Sequence, residues 1–282
     1  MQTIKTVAIT GGASGLGKAL ALRFARDGWN VAIADLNTAR GDETLQQLKG
    51  TARDAFFTLC DVRSASDILH WRDAILARWK RIDVVINNAG VATYGSVDRC
   101  SEDDWNWVID INLMGVVRGC RYFTETFKQQ GFGHIVNIAS MAGLVHSPEM
   151  SSYNATKAGV VAISETLRSE LKPYGIGVTV VCPGFFQTNL AESTRSPDAN
   201  AQQLVSKMLA TSAISADDIA DMIFLAIAHK RYLVLPHASY RRLWYLKRFL
   251  PFLYDRMMDK IGRKIAIMRS HKKTIKTEGS PT

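Results

Sequence analysis

Tyr153 and Lys157 stand four positions apart in Ser151-Ser152-Tyr153-Asn154-Ala155-Thr156-Lys157, which puts a phenol and an ammonium on one face of a helix. A free tyrosine ionises near a pKa of about 10, too high for efficient proton transfer at neutral pH. An ammonium about 5 Å away, at an effective dielectric of about 20, favours the phenolate by roughly 3 kcal/mol, or about two pKa units. That is the shift a general acid/base tyrosine needs. Alone the pair carries little weight, because 8 Tyr and 35 Lys plus Arg in 282 residues supply such spacings by chance.

A second piece of chemistry opens the chain. The apolar run Thr6-Val7-Ala8-Ile9-Thr10 leads into Gly11-Gly12-Ala13-Ser14-Gly15-Leu16-Gly17 and then a stretch rich in Ala and Leu. Glycines after a strand let the backbone approach a pyrophosphate held at the following helix N-terminus. Gly11, Ser14, Gly15, Leu16 and Gly17 are therefore expected at a dinucleotide. The spacing is not G-x-G-x-x-G, since position 20 is Leu. Asp35 ends the next apolar run about 20 residues on, where a carboxylate accepts the ribose hydroxyls of NAD and repels a 2′-phosphate. Its neighbours are Leu36 and Asn37, Ser14 occupies the turn, and Lys18 reads as a solvated helix residue. The expected cofactor is NAD, ahead of NADP.

These residues need a frame. Apolar, β-branched runs at 6–10, 31–35, 55–60, 83–87, 134–139, 177–182 and 232–235 read as strands. Amphipathic stretches at 16–28, 38–49, 65–80, 101–130, 151–172 and 215–229 read as helices between them. Strands apolar throughout and separated by helices predict a doubly wound, Rossmann-type α/β fold with a mainly parallel seven-stranded sheet. It forms one catalytic domain over 1–237. The long link 184–214 reads as a lid or binding loop with a short helix. At 47% hydrophobic the chain can bury one large core with an appendage. Cys60, Cys100, Cys120 and Cys182 lie far apart with no His cluster. They read as free thiols of a reducing, cytoplasmic compartment, without a metal site. Charge-free stretches near 129–148 and 173–191 are broken by Gly and Pro, so no membrane span is predicted. With a strand at 6–10, no secretory signal is expected either.

Several of these motifs, in this order, resemble the short-chain dehydrogenase/reductase family over roughly residues 4–237. The T-G-x-x-x-G-x-G turn is Thr10 to Gly17, and N-N-A-G is Asn87-Asn88-Ala89-Gly90. Asn112 falls in Ile111-Asn112-Leu113, Ser140 ends the fifth strand, and Pro183-Gly184 with Thr188 forms P-G-x-x-x-T. The resemblance implies a hydride-transferring oxidoreductase in which Tyr153 exchanges the proton with the substrate oxygen. Lys157 would lower the Tyr153 pKa and hold the nicotinamide ribose, Ser140 would hydrogen-bond the substrate oxygen, and Asn112 would anchor a water joining Lys157 to solvent. Asp61 and Val62 would meet the adenine, Asn88, Ala89 and Gly90 would line the dinucleotide, and Pro183, Gly184, Phe185 and Thr188 would fix the nicotinamide end. A homo-dimer or homo-tetramer is implied as well. Ser151 and Ser152 read as helix caps rather than as the polarising serine, and His134 and His146 as satisfied structural residues.

The family's pocket segments here supply Tyr94, Met141, Leu144, Val145, Met150, Phe185, Phe186, Leu190, Met208 and Leu209. That apolar set predicts a lipid-, steroid- or retinoid-like secondary alcohol or ketone. Net charge is +9, yet 230–282 holds 14 Lys/Arg against 3 Asp/Glu, so the body over 1–229 is nearly neutral. Leu243, Leu246, Leu250, Leu253, Met257, Ile261, Ile265 and Met268 recur at helical spacing among those cations. The segment 238–282 is thus a basic amphipathic extension, kinked at Pro251 and unstructured over its last ten or so residues. Two fates are open for 239–270: an anionic membrane surface, which would make the protein peripherally membrane-bound, or packing on protein. No nucleic-acid motif accompanies the charge. Competing readings are an NADP-linked carbonyl reductase and a non-catalytic, dinucleotide-binding, membrane-associated adaptor.

Overall fold

Seven largely apolar runs form strands β1 (Thr6–Thr10), β2 (Asn30–Asp35), β3 (Asp54–Leu59), β4 (Val84–Asn87), β5 (Gly133–Ile138), β6 (Ile176–Val181) and β7 (Leu233–Val234). They are seen in a computed structural model that describes residues 4–278 apart from 211 and 213, without the side chains of 208 and 268–278. Every pair is parallel, in the order β3-β2-β1-β4-β5-β6-β7. A parallel sheet is covered on both faces, so its strands are apolar throughout. All five residues of β1 are buried accordingly. The order reverses between β1 and β4, which leaves a crevice at the C-terminal strand ends, where such folds bind their ligands.

Ten α-helices are described: α1 (Gly15–Arg26), α2 (Thr38–Leu48), α3 (Ala65–Trp79), α4 (Glu102–Ile109), α5 (Gly115–Gln130), α6 (Ser151–Leu171), α7 (Ala201–Ala210), α8 (Ala216–Ala228), α9 (Ala238–Phe249) and α10 (Pro251–Glu278). On one face α3, α5 and α6 bury Trp71, Phe123, Phe127 and Val160. On the other, α1 and α8 bury Leu20, Phe24, Ile219 and Ile223. Each large side chain fully removed from water contributes roughly 2–3 kcal/mol. Local signals agree with the elements: Ser64 caps α3, and Ser215 with Asp218 forms a capping box on α8.

The structure departs from the sequence expectations in four places. The single helix expected over 101–130 is interrupted by a π-helical turn, Asp110–Met114. The Arg118 guanidinium holds that turn, donating to Asp110 O (3.3 Å), Asp110 Oδ1 (2.7 Å) and Val62 O (3.2 Å). Ser151 and Ser152 do not cap α6: its cap residue is Met150, with no side-chain cap bond, and Ser152 Oγ meets Thr93 Oγ at 2.7 Å in the interior. The 184–214 link holds a 3₁₀ turn, Asn189–Ser193, as well as α7. Pro251 breaks the extension as expected and becomes the first residue of α10, where its missing N–H has no partner to lose. That helix then runs to Glu278, further than the composition suggested; 279–282 lie outside the described residues.

Candidate active site

The cleft opens at the switch point and measures ≈ 520 Å³. Its nucleotide end is made of backbone. Gly11 and Gly15 take left-handed φ values of +64° and +51°, which side chains rarely adopt. A Cβ at Gly11 would lie 2.9 Å from Ala89 Cα. Thr10 Oγ accepts the N–H groups of Asn88 (3.0 Å) and Ala89 (3.1 Å), and Asn88 Nδ2 donates to Thr10 O (2.9 Å) and Gly11 O (3.1 Å). The two loops are thereby locked together. At the start of α1, Ser14 makes no side-chain cap bond and the first turn holds no acidic residue. A helix start without its own anion suits a phosphate, so the residues present fit a dinucleotide. Gly17 is not at the cleft surface; a Cβ there would lie 2.0 Å from Gly11 O, so this glycine lets helix and turn pack.

Asp35 lines the far end with Leu36 and Arg40. Its carboxylate accepts from Ala13 N (3.1 Å) and Asn37 N (3.0 Å). Arg40 reaches across to Glu192 of the 189–193 turn at 2.8 Å. Asp61 also lines this end, but its carboxylate is already gripped by Arg63 (2.6 Å), whose hydrogen bonds hold it below the usual range.

At the cleft's inner corner stand Ser140, Tyr153 and Lys157. Tyr153 is 7% and Lys157 4% exposed, and the Lys157 Nζ lies 5.8 Å from the Tyr153 ring centre while donating to Ile138 O at 3.0 Å. Ser140 Oγ accepts from Ala142 N (3.1 Å) and donates to Pro183 O (3.4 Å). Burial pushes Tyr153 up to about 12, with the Ser140 hydrogen bond pulling the other way. Burial likewise brings Lys157 down to about 8, against the opposing pull of Cys182. In the protein alone, then, the phenol moves opposite to the expected direction. Removing a phenolate wholly from water outweighs one ammonium that is itself stripped of water. Asn112 is fully buried in the π turn, and its amide is spent on Val91, accepting from N (2.8 Å) and donating to O (2.9 Å). A Cβ at Gly90 would lie 3.3 Å from Asn112 Oδ1 and 3.5 Å from Lys157 Nζ, so loop, asparagine and lysine meet at one point.

The substrate end is made of side chains. Of the expected set, Met141, Val145, Met150, Phe185, Phe186, Leu190 and Leu209 line it, while Tyr94 and Leu144 do not. Tyr94 packs behind the lid with Ala191 and Val205. Leu144 packs on the core, where its carbonyl accepts from Lys247 Nζ at 2.8 Å. The Met208 side chain lies outside the described residues. Sequence reasoning missed Arg40, Glu192 and, above all, Tyr240 of α9, which lines the cleft. His237 Nδ1 accepts from Gly184 N at 3.1 Å, and a Cβ on Gly184 would fall 2.4 Å from the Tyr240 ring. His134 is a satisfied core residue, its Nε2 2.8 Å from Thr179 Oγ, with burial lowering it to about 4. Among the described residues no cluster of metal-ligating side chains occurs, and the four cysteines are free.

A model of the short chain dehydrogenase family matches residues 5–199. The chain is 32% identical over 256 residues to the "Probable oxidoreductase EphD" of Mycobacterium tuberculosis, covering 87% of this chain but only 43% of that longer protein. It is 30% identical over 234 residues to the 3-oxoacyl-[acyl-carrier-protein] reductase FabG of Staphylococcus aureus, covering 83% of this chain and 95% of the relative. A solved short-chain dehydrogenase/reductase from Burkholderia phymatum, in complex with NAD, superposes with a TM-score of 0.83 at 30% identity, over 88% of this chain and 94% of that one. With the family's motifs gathered along one cleft of the family's fold, the chain belongs to the short-chain dehydrogenase/reductase family.

Proposed function

We propose that this protein transfers a hydride between NAD(H) and an apolar secondary alcohol or its ketone, with Tyr153 as general acid/base. The observation that carries the proposal is the meeting of Ser140, Tyr153 and Lys157 at one buried corner, between an uncapped helix start and an apolar pocket. When bound, the nicotinamide accepts or donates the hydride, and its oxidised form brings a positive charge that favours a nearby phenolate. Tyr153 takes the hydroxyl proton in oxidation and returns it in reduction. The Ser140 hydroxyl, turning from its long bond to Pro183 O (3.4 Å), donates to the substrate oxygen and steadies its charge. Lys157, charged below its pKa of about 8, holds ribose hydroxyls and the local positive potential. Asn112 fixes Val91 and the loop carrying Gly90 through its side-chain amide, and in this reading it also anchors the water that joins Lys157 to solvent.

Asp35 supports NAD, since a carboxylate at that end repels a 2′-phosphate. Arg40 lines the same end and favours NADP as the second reading. The substrate end presents Met141, Val145, Met150, Phe186, Leu190 and Tyr240, which suits a hydrocarbon skeleton and not a phosphate or carboxylate. The staphylococcal relative, by its name, reduces a ketone on an acyl chain. A nicotinamide-coupled screen of lipid, steroid and retinoid alcohols and ketones tests the reading. Turnover of apolar secondary alcohols with NAD, and NADH binding about tenfold tighter than NADPH, is the expected result. Tighter NADPH binding, or turnover confined to charged substrates, would overturn it.

A further inference from the structure

The α9–α10 extension divides its apolar residues between two faces. Leu243, Leu246, Met257 and Met258 pack on the body around Tyr254, which is 5% exposed. Three residues of the stripe read from the sequence, Leu243, Leu246 and Met257, are therefore spent inside the protein. A different set is left open at the Pro251 break: Tyr245 (47% exposed), Phe249 (69%), Leu250 (43%), Phe252 (56%) and Leu253 (39%). Tyr245 and Phe249 stack with ring centres 6.2 Å apart. On the same two helices Arg241, Arg242, Arg248, Arg256, Lys260, Arg263 and Lys264 are exposed, against Asp255 and Asp259.

Aromatic side chains held in water beside a surplus of cations match an anionic lipid interface in both respects, apolar depth and surface charge. A second copy of the chain fits worse. A two-fold contact places the same patch on itself, and here would set cation against cation. Among the described residues no helix is long and apolar enough to cross a membrane. We propose that the α9–α10 corner docks this protein on an anionic bilayer, with Phe249 and Phe252 inserted at the headgroup boundary and the flanking Arg and Lys on lipid phosphates. The corner is tied to the cleft. Lys247 Nζ donates to Leu144 O at 2.8 Å, Tyr254 Oη accepts from His146 N at 3.0 Å, and Tyr240 of the same α9 lines the pocket. Docking thus fixes the 141–150 wall relative to the bilayer and gives the pocket access to a membrane-dissolved substrate; this last step rests on the proposed dehydrogenase reading.

The test is flotation of the full chain with phosphatidylcholine vesicles, with and without about one-third phosphatidylserine, at low and high salt. Binding should be at least about tenfold stronger to the anionic vesicles and weaken at high salt. Phe249→Ser/Phe252→Ser should weaken it at least about tenfold. Both side chains are exposed, so the melting temperature and vesicle-free turnover of a water-soluble secondary alcohol should not change. No binding to anionic vesicles, or binding untouched by the double substitution, would overturn the proposal. So would a dimer in sedimentation that the double substitution dissolves while vesicles leave the chain unbound, which would assign the corner to a second copy. Docking without turnover of any alcohol or ketone would overturn the dehydrogenase reading and leave the docking standing; turnover without docking would do the reverse.

Discussion

The two ends of the cleft are built from different material. The nucleotide end is backbone: two left-handed glycines, an uncapped helix start and a neighbouring loop, stapled by Thr10 and Asn88. The substrate end is side chain, contributed by 141–150, by the lid over 185–209 and by Tyr240 of α9. A backbone wall depends on a few residues that are close in sequence, and it suits what all dinucleotides share. A side-chain wall is assembled from distant segments and can change residue by residue while the frame stays put.

The contrast can be broken at either end. Gly15→Val should have the largest effect on the cofactor, since φ there is +51° and a branched side chain both strains that backbone and enters the cleft. Left-handed strain of about 1–2 kcal/mol plus the lost approach predicts NADH binding weaker by roughly 30-fold or more in fluorescence titration. An unchanged affinity would mean the turn does not face the dinucleotide. Asp35→Ala should shift the NADPH/NADH affinity ratio toward NADPH by about tenfold. Arg40 lines the same end and could meet the added phosphate by leaving Glu192, its partner at 2.8 Å. Tyr240→Ala should lower kcat/KM for an apolar ketone about five- to tenfold with NADH affinity unmoved. Equal losses in both would show that the two ends are not separable.

A substitution away from both ends sharpens the comparison by sparing them. His134 is buried neutral, lowered from 6.5 to about 4. Between those values the unfolded chain binds more protons than the folded one, so stability rises with pH. The contribution is fully present above about pH 6.5 and fades as pH falls toward 4, at most about 3 kcal/mol in all. His134→Gln should flatten that part of the stability–pH curve while turnover at pH 7 stays the same; an unaltered slope would assign the titration to another group.

Strands, helices and the nucleotide end were legible because their signals are local: β-branched runs, glycines after a strand, Asp35 at the end of the next. Asn112 was legible as a position but not as a contact, since the π turn that buries it leaves no mark on helical periodicity. The direction of the Tyr153 shift was misjudged because charge separation can be guessed from i,i+4 spacing, whereas total burial cannot. Tyr240 and the Arg40–Glu192 bridge went unseen because each joins segments far apart in the chain. The extension was half legible. Its spacing showed an apolar stripe, but only packing showed that Leu243, Leu246 and Met257 face the body while Phe249 and Phe252 do not.

The central claim is that Tyr153 moves the proton, and Tyr153→Phe removes one hydroxyl from a largely buried ring on the cleft wall. Steady-state turnover of the best alcohol found with NAD, measured beside NADH affinity for the same protein, tests it directly. The expected outcome is a kcat lower by about a thousandfold or more, with NADH affinity within about twofold of the parent. Undiminished turnover, or a loss fully matched by lost NADH binding, would contradict it.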